Sequence, residues 1–124
     1  MNKFYKLSDT EMEIMKVIWG LATPVTISQL LSVFENHKWK IQTMASFLTR
    51  LGEKGLITVD KQYKSNRYSA AITEQRYNQL EALNVLNTMY DGSVKGFLSA
   101  LYGDGDIELK EVENLRNWFD KVGE

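Results

Sequence analysis

The chain has 124 residues, 44% hydrophobic and 25% charged, with one histidine and no cysteine. That length allows one domain, or one small domain with a helical appendage. The cysteine count rules out disulfides, cysteine zinc sites and thiolate copper sites. No apolar run approaches the ~20 residues needed to span a bilayer, and the first six residues lack the apolar core of a signal peptide. A cytoplasmic protein with no membrane partner is the expectation.

The formal charge of −1 hides a gradient. Residues 1–72 hold ten Lys/Arg against six Asp/Glu, a balance of +4, and residues 73–124 hold five against ten, a balance of −5. Between 38 and 67, Lys38, Lys40, Arg50, Lys54, Lys61, Lys64 and Arg67 stand against only Glu53 and Asp60. A basic segment in a near-neutral chain suggests a localised anionic partner, although chance clustering of surface lysines would look the same.

In chain order, Ser8 with Glu11 forms a capping box, and Leu7 with Met12 has the spacing of a hydrophobic staple. The helix they start runs through Met15, Ile18 and Trp19 to Gly20. After Pro24 the device repeats, with Thr26 and Gln29 as box and Val25 and Leu30 as staple. This second helix is expected to continue through Leu31 and Phe34 to about His37. A third helix begins near Lys40, with Met44, Phe47, Leu48 and Leu51 at i, i+3, i+4 and i+7, and Gly55 is suited to a left-handed cap. Two strands follow, 56–59 and 68–72, joined by the polar tip Tyr63-Lys64-Ser65-Asn66. Three short helices and a hairpin make a helix-turn-helix with a β wing.

From Thr73, a helix cap, the chain is helical again. Tyr77, Leu80, Leu83, Leu86 and Tyr90 mark one stripe of a long helix. Ser93 can cap a short helix carrying Val94, Phe97, Leu98 and Leu101, and Gly103-Asp104-Gly105 breaks it. A last helix carries Val112, Leu115, Trp118, Phe119 and Val122. Residues 73–124 are too few to bury a core of their own. They either fold back on the first unit or pair with a second chain, and the length of the apolar stripe favours a homodimer. Tyr90, Val94, Phe97, Leu98, Leu101, Val112, Leu115, Trp118 and Phe119 are the expected pairing residues.

The polar side of the third helix carries Gln42, Ser46 and Thr49, flanked by Thr43, Ala45 and Arg50. Short neutral side chains suit a helix entering the DNA major groove. Gln can bond adenine in bidentate fashion, Ser and Thr reach base edges or phosphates, and Ala and Thr methyls touch the thymine methyl. Lys40, Lys61, Lys64 and Arg67 would grip the backbone without reading sequence. The plain alternative is a solvated helix beside a mildly basic hairpin.

Nothing supports an enzyme. His37 has no second His or Cys to complete a metal site. Asp104, Asp106 and Glu108 alternate like calcium ligands, but Leu109 stands where such a loop needs glycine. No nucleotide fingerprint is present, and no cofactor is expected.

Glu11-Met12-Glu13-Ile14-Met15-Lys16-Val17-Ile18-Trp19, then Trp39, Thr43, Leu48-Thr49-Arg50-Leu51 and Lys54-Gly55-Leu56-Ile57 resemble the penicillinase-repressor family of bacterial transcription regulators. The likeness runs from about residue 7 to 121. Asp91-Gly92 and Glu113-Asn114-Leu115-Arg116-Asn117 extend it into the tail.

The resemblance implies a mainly α protein: a winged-helix DNA-binding domain over 1–72 and a three-helix dimerisation region over 73–124. Such a dimer binds a palindromic operator in double-stranded DNA and represses transcription. By motif match, Thr43 and Arg50 would touch DNA, with Gln42 and Ser46 at aligned exposed positions. The chain departs from the family at Met12, commonly Trp, and at Ala45, commonly basic. Where the β-lactam branch is cleaved at an Asn–Phe bond, this chain has Ala100–Leu101. The copper branch uses a cysteine-rich tail, which is absent here. The inducer, or a regulatory protease acting on the chain, is left open. The rival reading is a winged-helix adaptor that binds protein instead of DNA.

Overall fold

A computed structural model describes residues 4–21, 24–103 and 108–122. The elements in order are α1 (Asp9–Gly20), α2 (Ile27–Val33), α3 (Ile41–Glu53), β1 (Ile57–Asp60), β2 (Arg67–Ala70), α4 (Glu74–Tyr90), α5 (Val94–Tyr102) and α6 (Leu109–Val122). They fall into two compact units, Met1–Glu81 and Ala82–Glu124. Of the calcium-like acids, Asp104 and Asp106 lie outside the described residues.

Both capping boxes form. The Ser8 and Thr26 hydroxyls accept from the amides of Glu11 and Gln29, and those side chains reach back to the cap amides at 2.9 Å each. Helix α2 ends earlier than its apolar pattern implies. At Phe34 the backbone leaves the helix, a single 3₁₀ turn spans Glu35–His37, and Lys38 takes the left-handed conformation at φ 55°. Phe34 is buried, with its ring 5.4 Å from that of Trp39, so seating this aromatic group takes precedence over prolonging the helix.

Helix α3 closes with two hydrogen bonds, Leu56 N–H to Leu51 O at 2.9 Å and Gly55 N–H to Gly52 O at 3.0 Å. That is a Schellman ending, and it needs the left-handed residue that Gly55 supplies at φ 79°. Because Leu56 is used in that ending, β1 lies one residue later than the expected 56–59, and β2 covers Arg67–Ala70 in place of the expected 68–72. They pair antiparallel, Ile57 with Ala70 through Asp60 with Arg67. On the other side of β2, Val25 and Tyr68 exchange both backbone hydrogen bonds, at 2.9 and 2.8 Å. Val25 thus acts as a one-residue third strand, which its staple spacing did not reveal.

The core of the first unit draws Ile14, Met15 and Ile18 from α1, Leu30 from α2, Met44, Leu48 and Leu51 from α3, and Ile57 and Tyr68 from the hairpin. Tyr77, read as part of the tail stripe, belongs to this core. It is buried, its ring lies 5.7 Å from Phe4 and 5.8 Å from Trp19, and its hydroxyl accepts the Leu7 amide at 3.2 Å. The Trp19 indole donates to Ile72 O at 2.9 Å, pinning the chain between β2 and α4 to α1.

Ser93 caps α5 by accepting from Gly96 N–H at 2.9 Å, and Tyr90 meets Phe97 edge-on at 5.4 Å. No described residue beyond Tyr77 is buried. Among the described residues no helix is long and apolar enough to cross a membrane.

Candidate nucleic-acid interface

Helix α3 turns Met44, Leu48 and Leu51 inward, which fixes what its other side shows. Gln42, Ser46, Thr49 and Arg50 are exposed, while Thr43 and Ala45 are half-buried on the flanks. Two hydroxyls bond within the helix: Ser46 Oγ donates to Gln42 O and Thr49 Oγ1 to Ala45 O, each at 3.0 Å. Their protons are engaged, which leaves the two exposed hydroxyl oxygens free to accept. The Arg50 guanidinium lies 5.7 Å from the centre of the Phe47 ring, which itself contacts Trp39 at 5.2 Å. Lys40 occupies the N-cap without a side-chain bond to the helix, leaving its charge outside the first turn.

The hairpin adds Lys61, Lys64 and Arg67, all exposed. Arg67 sits opposite Asp60 in the ladder, yet that carboxylate accepts from the Gln62 amide at 3.0 Å, and among the described residues no ion pair includes Arg67. The guanidinium lies over the Tyr63 ring at 4.1 Å. A cleft of about 310 Å³ brings the start of α2 (Thr26, Ser28), the start of α3 (Ile41) and the hairpin tip (Lys64, Ser65, Asn66) together. Sequence reasoning missed Ser28, Ile41 and Tyr63. Ile41 is 64% exposed although its spacing continues the register of Met44, Leu48 and Leu51, so periodicity carried no signal for it.

One buried ion pair fixes α3 from behind. Glu11, 3% exposed, accepts from Lys54 Nζ at 2.7 and 3.0 Å and from the Ser8 amide at 2.9 Å. Burial pushes the carboxyl up, but the bonds from Lys54 and Ser8 outweigh it and hold it below the usual carboxylate range. This pair ties the capping box of α1 to the last turn of α3. His37 stays on the surface, stacked on Trp39 at 4.3 Å and 3.6 Å from Glu13.

Of the expected pairing residues, Val94, Leu101, Leu115, Trp118 and Phe119 are exposed, whereas Tyr90, Phe97, Leu98 and Val112 are half-buried. Trp118 and Phe119 meet edge-on at 5.0 Å and are 55% and 49% exposed. Ala100 and Leu101 are both exposed within α5.

Three helices, a hairpin and a short outer strand at Val25 define a winged helix-turn-helix of the DNA-binding kind. The penicillinase repressor family model matches residues 7–121, and the chain belongs to that family of transcriptional repressors. It is 31% identical over 122 residues to the penicillinase repressor of Staphylococcus aureus, covering 94% of this chain and 92% of that one. It is 27% identical over 120 residues to the methicillin resistance regulatory protein MecI of Mammaliicoccus sciuri, covering 97% and 98%. Among solved structures, the DNA-binding domain of the repressor BlaI superposes with a TM-score of 0.52 at 29% identity, over 60% of this chain and 90% of that one. These relatives favour the repressor over the adaptor and over any enzyme.

Proposed function

We propose that the chain is a cytoplasmic homodimeric repressor that binds a palindromic operator and lets go in response to an inducing signal. In this reading residues 1–72 hold the DNA and residues 73–124 hold the partner subunit. Helix α3 enters the major groove with Gln42, Thr43, Ala45, Ser46 and Thr49 against base edges and Arg50 at its rim. Lys40, Lys61, Lys64 and Arg67 meet phosphates. The observation that carries the reading is an exposed α3 face with no charge between Gln42 and Thr49, beside a hairpin whose cations have no acidic partner among the described residues.

Support for pairing comes from the second unit. It buries none of its described residues, yet exposes Val94, Leu101, Leu115, Trp118 and Phe119. A second copy is the simplest cover for such a surface, because two-fold association lets one patch satisfy itself. Two heads joined this way bind two half-sites about one helical turn apart, and separating the tails releases DNA through loss of avidity.

The test is to select fragments of genomic DNA with the purified protein and footprint the best of them. The expected outcome is a two-fold symmetric footprint made by a dimer in sedimentation. A single subunit at micromolar concentration, or a footprint without symmetry, overturns the reading.

A further inference from the structure

We infer that Tyr63 is a positioning residue for Arg67: its ring backs the guanidinium beside the wing tip, ready for a DNA phosphate. The inference rests on the reading of the hairpin as a DNA-gripping wing and goes beyond it by giving a role to a neutral aromatic side chain. The guanidinium centre lies 4.1 Å from the Tyr63 ring centroid, well within cation–π range. The neighbour that would ordinarily claim Arg67 is Asp60, its partner in the ladder, but the Asp60 carboxylate is turned back onto the Gln62 amide at 3.0 Å. Arg67 is thereby fixed in orientation by a group that carries no charge. A carboxylate in that role would cancel the positive charge a phosphate needs; the ring restrains the side chain and leaves it charged and exposed.

A long exposed arginine loses rotamer freedom when it docks, and a side chain already held in place loses less. Tyr63 therefore contributes affinity without contributing charge. That separates it from the cation it holds. Removing Arg67 deletes a phosphate contact and changes the salt dependence of binding. Removing the ring leaves the contact possible but harder to make.

The experiment measures binding of the full-length protein to a short, labelled, mixed-sequence duplex over a range of salt concentrations. The variants are Tyr63→Leu, Tyr63→Phe, Arg67→Ala and the double variant Tyr63→Leu/Arg67→Ala. Arg67→Ala should reduce the steepness of the log–log salt plot by about 0.9 per wing. Tyr63→Leu should weaken binding about two- to five-fold per wing at every salt concentration, with the slope unchanged. Tyr63→Phe keeps the ring and should bind like the parent, and Tyr63→Leu should cost nothing further once Arg67 is gone. The inference is overturned if Tyr63→Leu binds like the parent, if Tyr63→Phe is as weak as Tyr63→Leu, or if the two losses add in the double variant. If Arg67→Ala itself leaves affinity and slope untouched, the wing reading fails and the inference fails with it.

Discussion

Replacing Lys54 by Met should destabilise the first unit by removing the cation while keeping the bulk of its stem. Glu11, its side chain 4% exposed, would be left with Ser8 alone to stabilise its charge. Breaking a buried pair from one side costs about 3–5 kcal/mol. Two features lower that figure here: the Lys54 side chain is 25% exposed, so water can reach the vacated place, and the Ser8 bond survives. A loss of about 2–3 kcal/mol is expected, which in a unit of this size lowers the melting temperature by about 10–15 °C.

The pH dependence of that loss is more diagnostic than its size. In the parent the Glu11 carboxyl is held below its ordinary range, so its contribution is present above the unfolded-state pKa and disappears as pH falls through the folded-state value. In Lys54→Met, burial acts with far less opposition and raises the carboxyl. The variant's deficit should therefore shrink as pH falls from neutrality into the acid range and the buried group takes up a proton. Denaturant titrations of both proteins across that window provide the assay, with Glu11→Gln/Lys54→Met expected to recover most of the stability. A loss below about 1 kcal/mol, or a deficit that does not change with pH, would refute the view that this pair anchors the end of α3.

Tyr77→Phe should cost about 1–3 kcal/mol in denaturant unfolding, because the Leu7 amide loses its acceptor in a buried place. Burial raises the Tyr77 phenol, the Leu7 amide opposes this, and the Glu81 and Glu11 carboxylates add to the rise. Its stabilising effect is thus full below pH ~10 and fades above it, an alkaline dependence the Phe variant should lack. Gly52→Ala should stabilise by about 0.5–1 kcal/mol, since an added Cβ meets nothing within 4 Å on a helix; an unchanged or lowered melting temperature would contradict this. Arg50→Ala should weaken operator binding more than mixed-sequence binding, whereas Lys64→Ala should weaken both alike and lower the salt slope by about one unit, as gel-shift titrations can distinguish. Trp118→Asp with Phe119→Asp should yield single subunits in sedimentation with the circular dichroism of α1–α3 intact.

What the sequence made legible follows the range of the interactions involved. The starts of α1 and α2 were readable because a capping box is a contact between residues three apart, and Gly55 was readable because a left-handed cap selects glycine locally. The inward stripe of α3 was readable from periodicity alone, and that stripe implies the outward face of Gln42, Ser46 and Thr49. The end of α2 was not readable, because the helix stops where Phe34 is seated in a core shared with α1, α3 and the hairpin, which no helix pattern encodes. Val25 looked like half of a staple, and its pairing with Tyr68 joins positions far apart in the chain. Glu11 was visible as a capping partner; that it also receives Lys54 across 43 residues was not. Tyr77 fell into the tail stripe by its spacing, and only its neighbours Leu7, Phe4 and Trp19 assign it to the first unit.

The charge pattern then bears on how such a protein lets go of DNA. With a formal charge of −1, the whole chain gains little long-range attraction to a polyanion, so binding has to come from the local field of residues 38–67. The five cations assigned to DNA are Lys40, Arg50, Lys61, Lys64 and Arg67. At about 0.9 per phosphate they allow a salt slope of at most roughly −4.5 for one head. One head alone is then a weak binder at physiological salt, and in the proposed dimer two heads joined through their tails would double the slope and multiply the affinity. An inducing signal need not reach α3 at all. Breaking the subunit contacts that the proposed dimer places at Trp118 and Phe119 would halve the salt slope and return each head to weak, separable binding.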